Sequence, residues 1–307
     1  MEITVHHSIA DLYETLGLQV EQDTEFVILS IPAIHPRIPF QSPVLRADYF
    51  SFILTIDGSG VYCLDDNRFP FGSGTFFFTN PGHIKSYELH RSQEAFIITL
   101  TENFLREYVR SDIYAGFPFL LAEIAPPVTL SPGDLFDFTT LYRQMTGESG
   151  RDSFYKNKIL GSLFSVLLFK VKEKFWSDYD PKEEGNRDSR IVRSFKELLE
   201  KEFRKVMTGG PDGDRLQAQD FAERLSLHPN YLNAVIKSKT GRTVNEWISR
   251  RTLSAAKSLL LGTPCSSKQI AYMLGFSEPT HFSRFFRKHT CLSPGIFRKT
   301  AHQERNL

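Results

Sequence analysis

Cysteine is scarce in this 307-residue chain, and the little there is does not pair. Cys63, Cys265 and Cys291 stand far apart, and no Cys-x-x-Cys occurs. That pattern gives neither a disulfide framework nor a zinc-finger spacing. No apolar run approaches the ~18 residues of a membrane span. The N-terminal MEITVHHSIADLYETL lacks the basic start and apolar middle of a secretion signal. The expectation is a cytoplasmic protein with no membrane partner. Also missing are a glycine-rich phosphate loop, a nucleophile elbow and a His-Glu-x-x-His pair, so no enzyme and no cofactor are expected. Net charge is almost absent too, with 37 Lys and Arg against 36 Asp and Glu.

That balance conceals a division. Residues 190–307 hold 21 Lys and Arg and 10 Asp and Glu, a net of +11; the rest keeps 16 against 26, a net of −10. An acidic half joined to a basic half points to a nucleic-acid module on one side only. The 41% apolar and 24% charged residues are those of an ordinary globular protein. The length suggests about two domains.

Residues 1–45 carry Pro32, Pro36, Pro39 and Pro43. Proline removes a backbone donor and fixes φ, so this stretch reads as an arm or edge segment, with one strand near Phe26 to Ile31. Residues 46–101 are strand-rich: short aromatic and β-branched runs alternate with Asp57-Gly58-Ser59-Gly60, Asp65-Asp66-Asn67, Gly72-Ser73-Gly74 and Asn80-Pro81-Gly82. Such spacing predicts a small barrel or sandwich, with Gly58-Ser59-Gly60 as a hairpin turn and Phe76-Phe77-Phe78 in the core. Helical patterns follow at Glu102 to Arg110, from the Ser131-Pro132 start, and from Asp152 to about Phe175. These helices can cover the barrel or pair with a second subunit. Residues 177–189, SDYDPKEEGNRDS, read as a linker, and Thr208 to Asp214 as a second loop.

The basic half contains an internal repeat. Ala222 and Leu225 match Ala271 and Leu274 at a shift of 49; Leu232, Val235, Ile236 and Thr240 match Phe282, Phe285, Phe286 and Thr290 at a shift of 50. Each copy reads as a helix, a tight turn and a second helix, the helix-turn-helix arrangement. The turns are Ser226-Leu227-His228 and Gly275-Phe276-Ser277. A second helix of this kind puts its N-terminal residues at base edges in the major groove. The DNA-facing set is then His228, Asn230, Tyr231, Asn233, Lys237 and Lys239 in the first unit. In the second it is Thr280, His281, Ser283, Arg284, Arg287 and Lys288. Arg284 suits a bidentate contact to guanine, and Asn230 or Asn233 one to adenine. Lys237, Lys239, Arg287 and Lys288 suit phosphates. Between the units one helix, Val244 to Leu261, rises about 27 Å at ~1.5 Å per residue, enough to hold two readers near one DNA turn, ~34 Å apart.

This half resembles the DNA-binding domain of the AraC/XylS (arabinose-regulator) family of bacterial transcription regulators. The resemblance is carried by Ile270-Ala271, Leu274-Gly275-Phe276, the run Phe282 to Lys288, Ser293-Pro294 and Phe297-Arg298. Cys291 stands where the family commonly has glycine, and Thr252 where it commonly has arginine. The resemblance implies promoter binding, often with activation and contact with RNA polymerase. It also implies a cupin-like N-terminal barrel that takes a small effector, followed by helices that form a homodimer.

The expected fold class is therefore α+β: an N-terminal cupin-like β-barrel with helices over residues 1–176, a linker at 177–189, and an all-α tandem helix-turn-helix domain at 190–300. Arg46, Tyr62, His83 and Tyr87 are the pocket candidates. His83 and Glu88 could ligate a metal, but the usual His-x-His pair is missing, so no metal is expected. Two alternatives stay open: an effector-independent regulator whose barrel only dimerises, and a cupin-type enzyme with a DNA-binding tail.

Overall fold

The computed structural model describes residues 4–6, 8–18, 20–21, 24–65, 67–122, 124–177, 187–207 and 217–304. The chain forms two compact units, Met1–Gly185 and Asn186–Leu307. Most of the expected linker, residues 178–186, lies outside the described residues, as does the loop at 208–214.

The first unit is built on two long strands. In chain order it holds β1 (Thr4–His6), α1 (Ile9–Thr15), β2 (Phe26–Ser30), α2 (Ile31–Ile34), β3 (Phe40–Gln41) and β4 (Leu45–Ala47). Then come β5 (Phe50–Leu64), β6 (Asn67–Phe71), β7 (Thr75–Thr79) and β8 (Ile84–Leu100). Glu102–Phe104 is α3 and runs into a π-helical turn at Leu105–Val109. Ile113–Gly116 is α4; after a 3₁₀ turn at Pro118–Leu121 come β9 (Val128–Thr129), α5 (Pro132–Ser149) and α6 (Lys156–Phe175).

The expected cupin-like barrel is not formed. The sheet is open, in the order β1-β4-β8-β5-β7-β9, and among the described residues nothing joins β9 back to β1. Closing a barrel needs strands that tilt and stagger evenly around the ring. Here β5 and β8 take most of the pairing, while β1, β3, β4 and β9 are two or three residues long. The first half of β5 pairs with β7 and its second half with β6; β8 pairs with β4 and β3 first and with β2 at its end.

The expected hairpin turn is also absent. Asp57-Gly58-Ser59-Gly60 lies inside β5, where the β5–β8 register slips at a bulged bend. A side chain at Gly60 would run into the Glu88 carbonyl of the facing strand and the Phe71 ring, so glycine is there for close approach, not for a reversal. Alternation splits the sheet between two cores. Phe52, Leu54, Phe76, Phe78 and Ile98 pack with Phe138, Tyr142 and Phe164 of the helices. Ile53, Phe77, Leu89 and Ala95 form a second cluster on the other face. The Phe76-Phe77-Phe78 run is thus shared between both.

Residues 1–45 are less of an arm than expected. Ser8 and Asp11 form a reciprocal capping box that starts α1, and Ile9, Ala10 and Tyr13 are buried. The box is a local signal that the proline series overshadowed.

The second unit is helical throughout its described residues: α7 (Arg187–Met207), α8 (Ala218–Arg224), α9 (Pro229–Thr240), α10 (Val244–Gly262), α11 (Ser267–Met273), α12 (Pro279–Thr290) and α13 (Pro294–Glu304). It has two cores. Phe195, Phe221, Leu232, Ile236 and Trp247 lie in one; Leu259, Leu260, Ile270, Phe282 and Phe286 in the other. Helix α10 contributes to both, its first turns to one and its last turns to the other. Thr252, midway along, is fully buried and donates to the Ile248 carbonyl at 2.8 Å.

The repeat holds to the level of backbone angles. Leu227 N donates to Ala222 O at 2.9 Å, and Phe276 N to Ala271 O at 3.0 Å. Each unit has two left-handed residues, Ser226 (φ 55°) and Gly241 (75°) in the first, Gly275 (73°) and Cys291 (60°) in the second. Cys291 ends α12 as Gly241 ends α9, and its N–H caps the Arg287 carbonyl. A residue with a Cβ is strained in that conformation, by roughly 1–2 kcal/mol. Cys291→Gly should therefore stabilise the protein by about 0.5–1 kcal/mol once glycine's greater unfolded entropy is set against the relief. Chemical denaturation of the two forms checks this; a loss of stability would mean the thiol side chain has a packing role there.

Candidate functional site

Each recognition helix turns one face to its core and the other to solvent. On α9, Leu232, Val235 and Ile236 are buried, while His228, Asn230, Tyr231 and Lys237 are exposed and Asn233 and Lys239 half-buried. On α12, Phe282 and Phe286 are buried, while Thr280, His281, Arg284, Arg287 and Lys288 are exposed and Ser283 half-buried. Lys237, Arg284, Arg287 and Lys288 form no ion pair among the described residues. An exposed guanidinium with no internal acceptor keeps its donor fork for an outside partner.

Several of the expected DNA-facing residues also have structural duties. Asn233 Oδ1 accepts from Val244 N at 3.1 Å and so ties α9 to the start of α10. His228 caps α9, its Nδ1 accepting from Asn230 N at 3.3 Å. The Tyr231 hydroxyl donates to Asp188 at 3.4 Å, and the Arg187 guanidinium lies 5.7 Å from its ring. Thr280 donates to Glu278, and His281 meets Ser277. The side chains of Asn230, Lys237, Ser283, Arg284, Arg287 and Lys288 have no such duty among the described residues. Other motif residues support the helices from behind. Phe297 packs on Phe286, and Arg298 Nε donates to the Leu260 carbonyl at 2.8 Å near the end of α10.

The first unit holds a cavity of about 430 Å³, a volume in the range of small-molecule sites. Of the four expected pocket residues, Tyr62 and Tyr87 line it and Arg46 and His83 do not. Tyr62 and Tyr87 are cross-strand partners on β5 and β8. His83 pairs instead with Asp65 at 2.7 Å, outside the cavity. Glu88 is held by Arg68 at 3.2 Å. Among the described residues no three His, Cys, Asp or Glu side chains gather as a metal would require.

The sequence reading missed the side chain with the most chemistry in the cavity, Lys85. It is buried, with Nζ 3.2 Å from Ser51 Oγ and 3.3 Å from Thr79 Oγ1, over the Tyr49 ring at 4.8 Å. Burial pushes its pKa down to about 7. The available signal was spacing: Lys85, Tyr87 and Leu89 alternate on β8, and all three line the cavity. His35 was missed with the supposed arm. It stacks on Phe40, bonds the Tyr87 hydroxyl at 2.7 Å, and is held below its ordinary pKa by burial.

Paired helix-turn-helix units with unmatched cations on both recognition helices define a tandem DNA-binding protein. Comparison with known proteins agrees. Residues 221–300 match a family model described as a helix-turn-helix domain, and residues 42–139 match the AraC-like ligand binding domain. The chain belongs to the AraC/XylS family and is a DNA-binding transcription regulator; that membership argues against an enzyme. It is 23% identical over 273 residues to the transcriptional activator RhaS of Escherichia coli, covering 87% of this chain and 91% of RhaS. Among solved structures, ToxT from Vibrio cholerae is 14% identical, with 90% of this chain and 98% of that one covered and a TM-score of 0.36. The C-terminal domain of AraT from Geobacillus stearothermophilus is 29% identical, covering 38% and 88%, with a TM-score of 0.33. No helix among the described residues is long and apolar enough to cross a membrane.

Lys85 makes stability depend on pH in a definite direction. Its folded pKa is about 7, against an ordinary 10.5 in the unfolded chain. Between those values the unfolded state binds more protons, so this group's contribution to stability rises as pH rises. The buried tyrosines, whose pKa values are raised, act in the opposite sense only above about 10. Lys85→Met, which removes the buried charge, should raise the melting temperature by several degrees near pH 6.5 and by less near pH 9.5. Equal gains at both pH values would mean that Lys85 stays charged when folded.

Proposed function

We propose that this protein activates transcription from specific bacterial promoters, in the cytoplasm, as a homodimer under the control of a small molecule. The observation that carries the DNA-binding part is the pair of matching recognition faces on α9 and α12. Helix α10, shared by both cores, fixes the two faces on one body. At ~1.5 Å per residue its 19 residues span about 28 Å, so the two faces address successive major-groove segments of double-stranded promoter DNA. Arg284 reads guanine and Asn230 reads adenine. Asn233, with its oxygen engaged at Val244, positions more than it reads. Lys237, Arg287 and Lys288 take phosphates.

Activation, and with it contact with RNA polymerase, is supported by the likeness to RhaS, which is named an activator. The functional parts are a sensor at residues 1–176, a linker that ends where α7 begins at Arg187 rather than at 189, and a DNA-binding domain from α7 to about residue 300. Dimerisation is supported by a ridge on α6 and the residue before it: Tyr155, Ile159, Val166 and Phe169 are exposed at spacings of four, seven and three residues. Their periodicity is that of a helix face made for another helix. The effector reading is supported by the cavity, whose volume of about 430 Å³ is that of a small-molecule site.

Two substitutions test the DNA reading on a duplex site selected from random sequence. Arg284→Ala should cost about 1–3 kcal/mol on that site and relax the preference at a single base pair. A loss of equal size on every duplex would make Arg284 a phosphate contact. Lys237→Ala should weaken binding to all duplexes alike and lower the slope of log K against log salt by about one. An unchanged slope would remove Lys237 from the phosphate set.

A further inference from the structure

We infer that the cavity of the first unit takes an organic acid: a largely apolar molecule whose single carboxylate sits on the Lys85 ammonium. This rests on the effector reading above and gives it a ligand class.

The inference starts from an unbalanced charge. The Lys85 side chain lines the cavity and the residue is only 8% exposed. Its two polar contacts, Ser51 and Thr79, are neutral hydroxyls, and an ammonium has three N–H donors. Among the described residues no aspartate or glutamate lines the cavity. A buried cation costs several kcal/mol when no opposite charge meets it, and the Tyr49 ring beneath it returns only about 0.5–2 kcal/mol. The lowered pKa expresses the same cost. An acid entering the cavity supplies the missing negative charge and accepts the third N–H.

The surrounding groups fit the same ligand. The Tyr49 hydroxyl is buried without a hydrogen-bond partner among the described residues and lines the cavity beside Lys85. It is a second donor suited to a carboxylate oxygen. Polar side chains such as His35, Gln41 and Arg91 also reach the cavity, but its lining is mainly apolar, with Ile31, Ile34, Ile53, Phe77 and Ile97 among its walls. A polyol would set its hydroxyls against those walls unpaired, at a cost for each, and would leave the ammonium uncompensated. An apolar body with one acidic end satisfies both.

The test uses the full-length protein near pH 7 and compares acids with uncharged counterparts of the same shape. The probes are decanoate against decanamide, 4-phenylbutanoate against its amide, and a neutral six-carbon sugar. Binding is read by calorimetry and by the shift in melting temperature, since a ligand of the folded form must raise it. At least one acid should bind ten-fold or more tighter than its amide, and Lys85→Met should erase that preference. The wild-type comparison stands even if the variant fails to fold. An amide that binds as tightly as its acid overturns the inference, and so does an acid preference that survives in Lys85→Met. A response to the sugar but to neither acid overturns the ligand class and leaves the effector reading standing. No response to any probe counts against both.

Discussion

The ladder between β5 and β8 is the constraint on which the first unit depends. Every other strand except β1 and β9 pairs directly with one of these two. The register slip between Thr55 and Gly60 bends the pair and lets its two ends hold different partners. It also changes the parity of β5. Ser51, Ile53 and Thr55 line the cavity before the bend, and Tyr62 lines it after. One irregularity therefore keeps a single concave face polar and apolar in the right places while the other face stays flush against α5 and α6. Gly60 makes the bend sterically possible, because the Glu88 carbonyl occupies the space a Cβ would need.

The second unit solves a different problem by repetition. Two small helix pairs, each too short to bury a core alone, share α10, and each closes its core on a different end of that helix. The buried Arg251–Glu200 pair, at 3.2 Å, adds a tie between α10 and α7. Breaking one partner of such a pair is costly, so it fixes geometry more than it adds net stability. The strain at the tight positions is distributed evenly. Each half has glycine at one left-handed position and a residue with a Cβ at the other. The sequence repeat and the conformational repeat thus agree even where residue types differ.

This contrast explains what could be read in advance. Helix α10 ends one residue from its expected bound, and α9 and α12 begin just after the expected turns, because the 3.6-residue pattern, the caps and the turns are all local signals. The exposed faces of α9 and α12 followed from the same periodicity. What local reading could not supply was the second use of Asn233, whose partner Val244 is eleven residues away. In the first unit the short runs and glycines were visible, but whether a glycine reverses the chain or bends it depends on the facing strand. Asp57 to Gly60 has the composition of a turn, and counting such turns gives a closed barrel. Lys85 was overlooked because a lysine in a strand is ordinarily a solvated residue. Only the pairing of Tyr87 with Tyr62 shows that its face of β8 points inward.

The division of charge bears on how each half selects its ligand. The basic C-terminal half carries the attraction for DNA, and the acidic remainder adds none, so non-specific binding falls to one module. An acidic surface would also repel an organic acid at a distance. That repulsion is screened beyond ~8 Å at physiological ionic strength, whereas Lys85 acts at contact distance in a site of low dielectric, where a charge pair is far stronger. Selection of an anion by an acidic domain is therefore no contradiction. The surface field sets only how often the molecule arrives, and the buried Lys85 ammonium sets whether it stays. The same reasoning accounts for the near neutrality of the whole chain. Two opposite fields, each suited to its own part, cancel in the total and leave the local charges to decide.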